Sequence, residues 1–445
     1  MSERSIDGVD VKVATPEQLA GYTAAQDKVD RFDVPRIYNS LDPKARVFVA
    51  LFDGTGNDVI NDPQHATNVG ILKSQVERMA QENPNIQGVY LEGPGTQRGL
   101  KGVVDGAIGY TYQDRIDQMY SRFNERATEW LAEDPQTKIS VVSVGFSRGA
   151  EQAAGFSRVI EERGVQGSQR VQMPTVASEQ AGAIAPQAAL KAPGEMPQAL
   201  ALYDPVGTGA PHQNDRRPPP SVVSGFQITA ADEQRALFPS TAIIAQGKSE
   251  DGRFLGVTTA GAHSDIGGSY QLNGLSSRNY NLMAGYLNKV LGEDAVKKLE
   301  VPAAPEKSVI HDSTQHAFYY RGVKERNAIE QLEPSGKLAI EPVNPAIMEQ
   351  VKAQQRDPRA ESFAKEAPEI ALKKYPELAG AYAAIAAIDR QAEKDGMSAQ
   401  QRELVSAHVH RQTVKSIERG EIPEVSIRAP ADARQERSGQ NGQSR

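Results

Sequence analysis

The chain has 445 residues and sets 50 Lys and Arg against 57 Asp and Glu, for a formal net charge of −7. That balance argues against a dedicated nucleic-acid binder, which needs a strongly basic patch or stripe. The absence of cysteine excludes disulfides, thiolate zinc sites, iron–sulfur clusters and a cysteine nucleophile.

The first residues, MSERSIDGVDVKVATPEQ, carry acids and no apolar core, so no secretory signal peptide is expected there. No run of 18 or more apolar residues occurs, so no membrane-spanning helix is expected either. Residues 1–44 read as a polar, aperiodic and loosely ordered arm. Ala45–Phe52 is almost wholly apolar, as a strand buried on both faces of a parallel sheet would be. It stops at the turn signal Asp53-Gly-Thr-Gly-Asn57. Val69, Leu72, Val76 and Met79 then mark an amphipathic helix over 65–82. A strand at 89–91 meets the turn Glu92-Gly-Pro-Gly95, and a long helix over 111–132 follows. Lys138–Val144 reads as a strand and 148–163 as its helix.

After a Gln/Ala/Pro-rich insertion at 166–198 come strands at 199–203, 241–245 and 254–258, then a helix over 275–293. Strands alternating with helices predict an α/β fold, a mostly parallel sheet covered on both faces. The expected layout is an arm at 1–44, a catalytic domain at 45–320 and a linker at 321–361. A small helical module at 362–426 and a disordered tail at 427–445 complete it.

The strongest local signal is Gly145-Phe-Ser-Arg-Gly149, a G-x-S-x-G that follows a predicted strand and opens a predicted helix. Such a turn holds the Ser147 hydroxyl at the carboxyl edge of the sheet. There the helix N-terminus and the N–H of Arg148 favour an oxyanion. Gly155-Phe-Ser-Arg158 repeats four of the five letters but falls within the helix and lacks the closing glycine, so Ser157 reads as structural.

A serine nucleophile needs a base and an orienting acid, in α/β-hydrolases in the chain order Ser, acid, His. Seven histidines are present. His65 precedes Ser147, His212 lies in a Pro-rich loop, and His408 and His410 sit on a polar C-terminal helix. His263 lies directly after a predicted strand among small residues and is the expected base, with His311 the runner-up. Asp204, at a strand end between Ser147 and His263, is the expected acid. Asp265 either supports catalysis or caps its own loop. The second oxyanion donor is expected from Gly54 or Thr55, with Asp53 shaping that loop. No nucleotide-binding motif occurs and no cofactor is called for. Asp53, His263 and Asp265 could alternatively ligate a metal.

In this order, Phe52-Asp-Gly-Thr-Gly-Asn-Asp58, Thr67-Asn-Val69, Gly93-Pro-Gly-Thr96, Gly145–Ala150, Tyr203-Asp-Pro-Val-Gly207 and Gly261–Gly268 resemble the α/β-hydrolase domain of the Tle-type phospholipase effectors of type VI secretion. The resemblance covers about residues 45–320 and implies a Ser-Asp-His lipase acting on bacterial phospholipids. It matches Ser147, Asp204 and His263. The family usually has Thr where Pro205 stands and Ile or Val where Pro94 stands.

The resemblance also implies a phospholipid or other lipid ester as substrate, peripheral membrane contact, and an immunity or delivery protein as partner. The protein would reside in the producer's cytoplasm until a dedicated secretion system delivers it. Residues 373–423 resemble helical modules of mobile-element-associated polypeptides. The alternative function is therefore a catalytically weak hydrolase fold serving as an interaction module.

Overall fold

In the computed structural model, residues 5–93, 112–167, 189–207, 214–316 and 340–422 are described. The chain divides into two units, residues 1–355 and 356–445.

The first unit is built on strands whose two faces are both apolar. Strand β1 (Val11–Val13) and helix α1 (Pro16–Arg31) precede the central strand β2 (Ala45–Phe52). Along β2, Val47, Val49 and Leu51 enter one apolar cluster while Phe48, Ala50 and Phe52 enter another, the period-two alternation of a strand. There follow helix α2 (Asn68–Glu82), β3 (Ile86–Leu91), α3 (Tyr112–Glu133), β4 (Lys138–Phe146), α4 (Arg148–Arg163) and β5 (Gln198–Tyr203). Next come β6 (Val222–Ala230), β7 (Gly247–Lys248), β8 (Phe254–Thr259), the single-turn helix α5 (His263–Gly267), α6 (Gly274–Leu291) and β9 (Val309–His311). Helix α7 (Pro345–Gln354) closes the unit.

The seven-stranded sheet has the order β3-β2-β4-β5-β6-β8-β7, with only β7 antiparallel to its neighbour. The apolar stripes of α1, α2 and α6 pack in one cluster and those of α3 and α4 in the other, so both faces are covered. This is an α/β-hydrolase-like architecture. The chain runs from β2 outward to β3 and returns to place β4 on the other side of β2. The carboxyl ends of β2 and β4 therefore flank the crevice where open α/β sheets bind ligands.

Three segments depart from the expectations above. Residues 1–44 do not form a loose arm among the described positions. Thr15 and Gln18 close a reciprocal capping box, and Tyr22, Ala25 and Val29 form a narrow apolar stripe buried in the core. The Tyr22 hydroxyl donates to Ala260 O at 2.5 Å. Tyr22→Phe is expected to cost about 1–2 kcal/mol, read by chemical denaturation, because it orphans a buried carbonyl. Residues 241–245 are not a strand. Gln227, buried in β6, bonds Thr241 O and Ile244 N–H at 3.0 Å each, supplying partners that a ladder would otherwise provide. The strand is instead Val222–Ala230, whose Ser224, Gly225 and Gln227 break up its apolar run. Finally, Ile347 and Val351 of α7, within the stretch expected as linker, are buried in the core.

The second unit contains α8 (Pro358–Lys365), α9 (Pro368–Lys374), α10 (Ala379–Lys394) and α11 (Ala399–Glu418). Ala360, Phe363, Ala371, Leu378, Ala381 and Ile417 form its small core. No described helix is long and apolar enough to cross a membrane. Most of the 166–198 insertion, His212 and the tail at 427–445 lie outside the described residues.

Candidate active site

Strands β4 and β5 pair with Phe146 opposite Tyr203, so Ser147 and Asp204 leave adjacent strand ends. The Ser147 N–H donates to Tyr203 O at 3.0 Å, and the Val206 N–H to Ser147 O at 3.3 Å. Ser147 then turns with φ 61°, a left-handed conformation that a side chain rarely adopts. Its flanking glycines are steric requirements. A Cβ on Gly145 would lie 2.3 Å from Gly149 O, and one on Gly149 would lie 2.3 Å from Phe52 O and 2.5 Å from Asp53 O. The elbow is thus pressed against the end of β2. Helix α4 starts at Arg148, and the first N–H groups of a helix have no partner within it.

Asp204 is also at positive φ, 39°, and fully buried. Its Oδ1 accepts the Ala230 N–H at 2.9 Å, and its Oδ2 lies 2.5 Å from His263 Nδ1. That bond assigns the proton to Nδ1 and leaves Nε2 with the lone pair. The imidazole ring packs on Phe146 at 4.5 Å between centroids and meets Phe238 edge-on at 5.0 Å. Burial lowers the His263 pKa, and Asp204 only partly offsets this. Gly267 and Gly268 keep the His263 turn close. A Cβ on Gly267 would lie 2.1 Å from the Phe146 ring, and one on Gly268 would lie 2.8 Å from Asn68 N.

The loop after β2 is held by Asp53, whose carboxylate accepts from Gly54 N–H, Thr67 Oγ1 and Tyr90 Oη, each at 2.7 Å. Burial raises the Asp53 pKa to about 6 against those hydrogen bonds. The Gly54 N–H is engaged with the Asp53 carboxylate, which corrects its expected role as an oxyanion donor. Thr55 lies next to it, and its hydroxyl is buried with no hydrogen-bond partner among the described residues.

His311, the runner-up base, has both ring nitrogens against carboxylates, Nδ1 on Asp265 and Nε2 on Asp7. It is therefore not placed to take a proton from Ser147. Asp265 also accepts the Ala262 N–H at 2.9 Å, so it caps its own turn. Asp53, His263 and Asp265, the alternative metal set, belong to three separate hydrogen-bond networks. Among the described residues no group of three His, Cys, Asp or Glu could hold a metal ion.

Sequence reasoning missed Glu233. Its carboxylate, fully buried, accepts the His263 N–H at 3.2 Å and the Ser313 hydroxyl at 2.9 Å. It also forms a two-point pair with Arg235, both contacts at 2.9 Å. Burial alone would raise its pKa, but the Arg235 guanidinium holds it at about 2. Arg235 in turn lies 3.5 Å over the Phe238 ring. Nothing in the local spacing of Glu233 and Arg235 marks them, since their target is 30 residues away.

A family model described as type VI secretion system phospholipase effector Tle1-like, catalytic domain, matches residues 46–285. Among solved structures, the chain is similar to an uncharacterized protein from Pseudomonas aeruginosa, with 16% identity and a TM-score of 0.37. That match covers 92% of this chain and 66% of the other. It is also similar to a Tle1 effector bound to the VgrG spike of the type 6 secretion system, with 17% identity and a TM-score of 0.31. That match covers 54% of this chain and 52% of the other. The chain thus spans less than two thirds of either structure's length. No curated protein matches it. Because the family model spans more than half of the chain and contains the Ser147 elbow, Asp204 and His263, the chain belongs to the Tle1-like phospholipase effector family of type VI secretion.

Proposed function

We propose that this protein is a serine hydrolase that cleaves carboxylic ester bonds of phospholipids, as an antibacterial effector delivered by type VI secretion. The observation that carries the reading is the buried 2.5 Å Asp204–His263 pair beside the strained Ser147 elbow. In the proposed reaction Ser147 Oγ attacks the acyl carbonyl and passes its proton to His263 Nε2. Asp204 holds the ring in the useful tautomer and stabilises the imidazolium. The N–H groups of Arg148 and Thr55 receive the oxyanion. Collapse of the tetrahedral intermediate returns that proton to the departing alcohol. Water, deprotonated by the same imidazole, then attacks the acyl-enzyme, and the fatty acid leaves as His263 returns the proton to Ser147 Oγ. The helical unit beginning at residue 356 is proposed as a docking or delivery module, and the unit of residues 1–355 as the catalytic domain.

The deciding experiment is mass-spectrometric analysis of phospholipid products formed by the purified protein and by its Ser147→Ala variant, beside fluorophosphonate labelling. Fatty acid and lysophospholipid from the wild type alone support the reading. A chain that no fluorophosphonate labels is an interaction module and not a serine enzyme.

The pH dependence follows from the histidine. A general base works when neutral, and the His263 pKa is lowered from 6.5 by burial. On a soluble ester, kcat/KM is therefore expected to persist to lower pH than a solvated imidazole would allow, and then to decline. An acidic limb centred above 6.5 would contradict that environment.

A further inference from the structure

The histidine not used in the proposed reaction, His311, sits between two carboxylates. Its Nδ1 is 2.6 Å from Asp265 Oδ1 and its Nε2 is 3.1 Å from Asp7 Oδ2, with the imidazole wholly buried. A neutral imidazole has one N–H and can donate to only one of them, so with both carboxylates ionised, bonds at both nitrogens are made by the imidazolium.

Each carboxylate ties down a different side of the turn that carries His263. Asp265 accepts the N–H of Ala262 at 2.9 Å and of His311 at 3.0 Å, closing the turn at its start. Asp7 accepts the N–H of Gln271 at 2.7 Å and of Leu272 at 3.1 Å, on the stretch by which the chain leaves that turn. The pairing of Val11 with His311 fixes the Asp7 segment alongside.

We propose, on the reading of His263 as the general base, that His311 is a positioning residue. As an imidazolium it clamps the His263 turn between the N-terminal segment and β9, and its deprotonation loosens the turn and slows acylation of Ser147 at alkaline pH.

The groups that face it are Asp7 from the N-terminal segment, Asp265 from α5 and Tyr270, whose ring stacks at 3.7 Å. Tyr270 Oη in turn bonds His316 Nε2 at 2.6 Å. The Glu233–Arg235 pair acts on both Tyr270 and His316, and Asp312 acts on His316. Burial works to lower the His311 pKa, but Asp265 and Asp7 outweigh it and raise the value above 6.5. The clamp is therefore complete below the ordinary imidazole value and is lost as pH rises through the raised one.

The test measures fluorophosphonate labelling of Ser147 against pH in the full chain. Ring-NMR titration of histidine-labelled protein runs beside it, with the His311 resonance assigned from its loss in His311→Gln. The wild type is expected to show an alkaline fall in labelling that coincides with His311 titration. Asp7→Asn, which removes the charge and turns one of the two acceptor oxygens into a donor, is expected to move both the fall and the titration to lower pH. His311→Gln is expected to remove the alkaline fall and to lower labelling roughly tenfold to a hundredfold, as misplacement of a catalytic group does.

Variants that lose rate with the alkaline fall unmoved, or a wild-type His311 that titrates at or below the ordinary value, would overturn the proposal. If wild-type Ser147 is unlabelled at every pH while His311 titrates high and falls in Asp7→Asn, the serine reading fails and the clamp itself is supported.

Discussion

Ser147→Ala is expected to lower ester hydrolysis by about 10⁴-fold or more, on the scale seen when a triad nucleophile is removed. Its unfolding midpoint should stay near that of the wild type. The reason for the second half is conformational. At φ 61° the residue pays the same steric cost with a serine or an alanine side chain. Glycine is different, because without a Cβ the left-handed region is open to it. Ser147→Gly should therefore be as inactive as Ser147→Ala but more stable than it, by roughly 1–2 kcal/mol once glycine's greater unfolded-state freedom is set against the relieved strain. Denaturation curves of the two variants decide this. A glycine variant less stable than the alanine one would mean that the elbow stores no strain at position 147.

Gly149→Ala is expected to damage both the fold and the site, although it adds a single methyl. The new Cβ would lie 2.3 Å from Phe52 O and 2.5 Å from Asp53 O, both backbone atoms at the end of the central strand. Neither is the tip of a flexible side chain. β2 is paired on both sides, with β3 and β4, so it has no free direction in which to move. The variant is expected to lose roughly 3 kcal/mol or more, at the upper end of overpacking costs. Whatever movement does occur displaces the Asp53–Thr55 loop, so residual folded protein should also label slowly with fluorophosphonate. A Gly149→Ala protein that melts and labels as the wild type does would show that the elbow is not pressed against β2.

Both predictions rest on the same piece of geometry, and the sequence reveals only part of it. The G-x-S-x-G spacing marks a tight strand-to-helix turn, but it does not say what the second glycine faces. Gly149 faces Phe52 and Asp53, nearly a hundred residues earlier, because the sheet order places β4 beside β2. The glycines at 267 and 268 are similar. Their need to be bare comes from the Phe146 ring and the Thr67–Asn68 backbone, which meet them only in the folded chain.

The misreadings have equally specific causes. The arm at residues 1–44 looks polar because α1 offers the core only a narrow stripe, Tyr22, Ala25 and Val29 with Leu19 packed beside them. Its Thr15–Gln18 capping box was the legible signal there. Residues 241–245 have the composition of a strand, yet a buried glutamine side chain satisfies their backbone. His263, after a predicted strand and among small residues, and His311, its runner-up, are separated only by the fold. In the fold one faces Asp204 and the other is enclosed by Asp7 and Asp265.

What the sequence by itself determined is what depends on near neighbours along the chain. This covers the buried parallel strands, the helices between them, the Ser147 elbow and the strand-end positions of Asp204 and His263. Periodicity and turn chemistry act over a few residues, so they are readable without a fold. Tertiary structure alone decided the partners: which carboxylate meets which imidazole, that Thr67 and Tyr90 donate to Asp53, and that Glu233 holds the His263 backbone. A hydrogen bond is set by distances of about 3 Å between atoms, and residues 59 or 304 positions apart reach that distance only through the order of the strands.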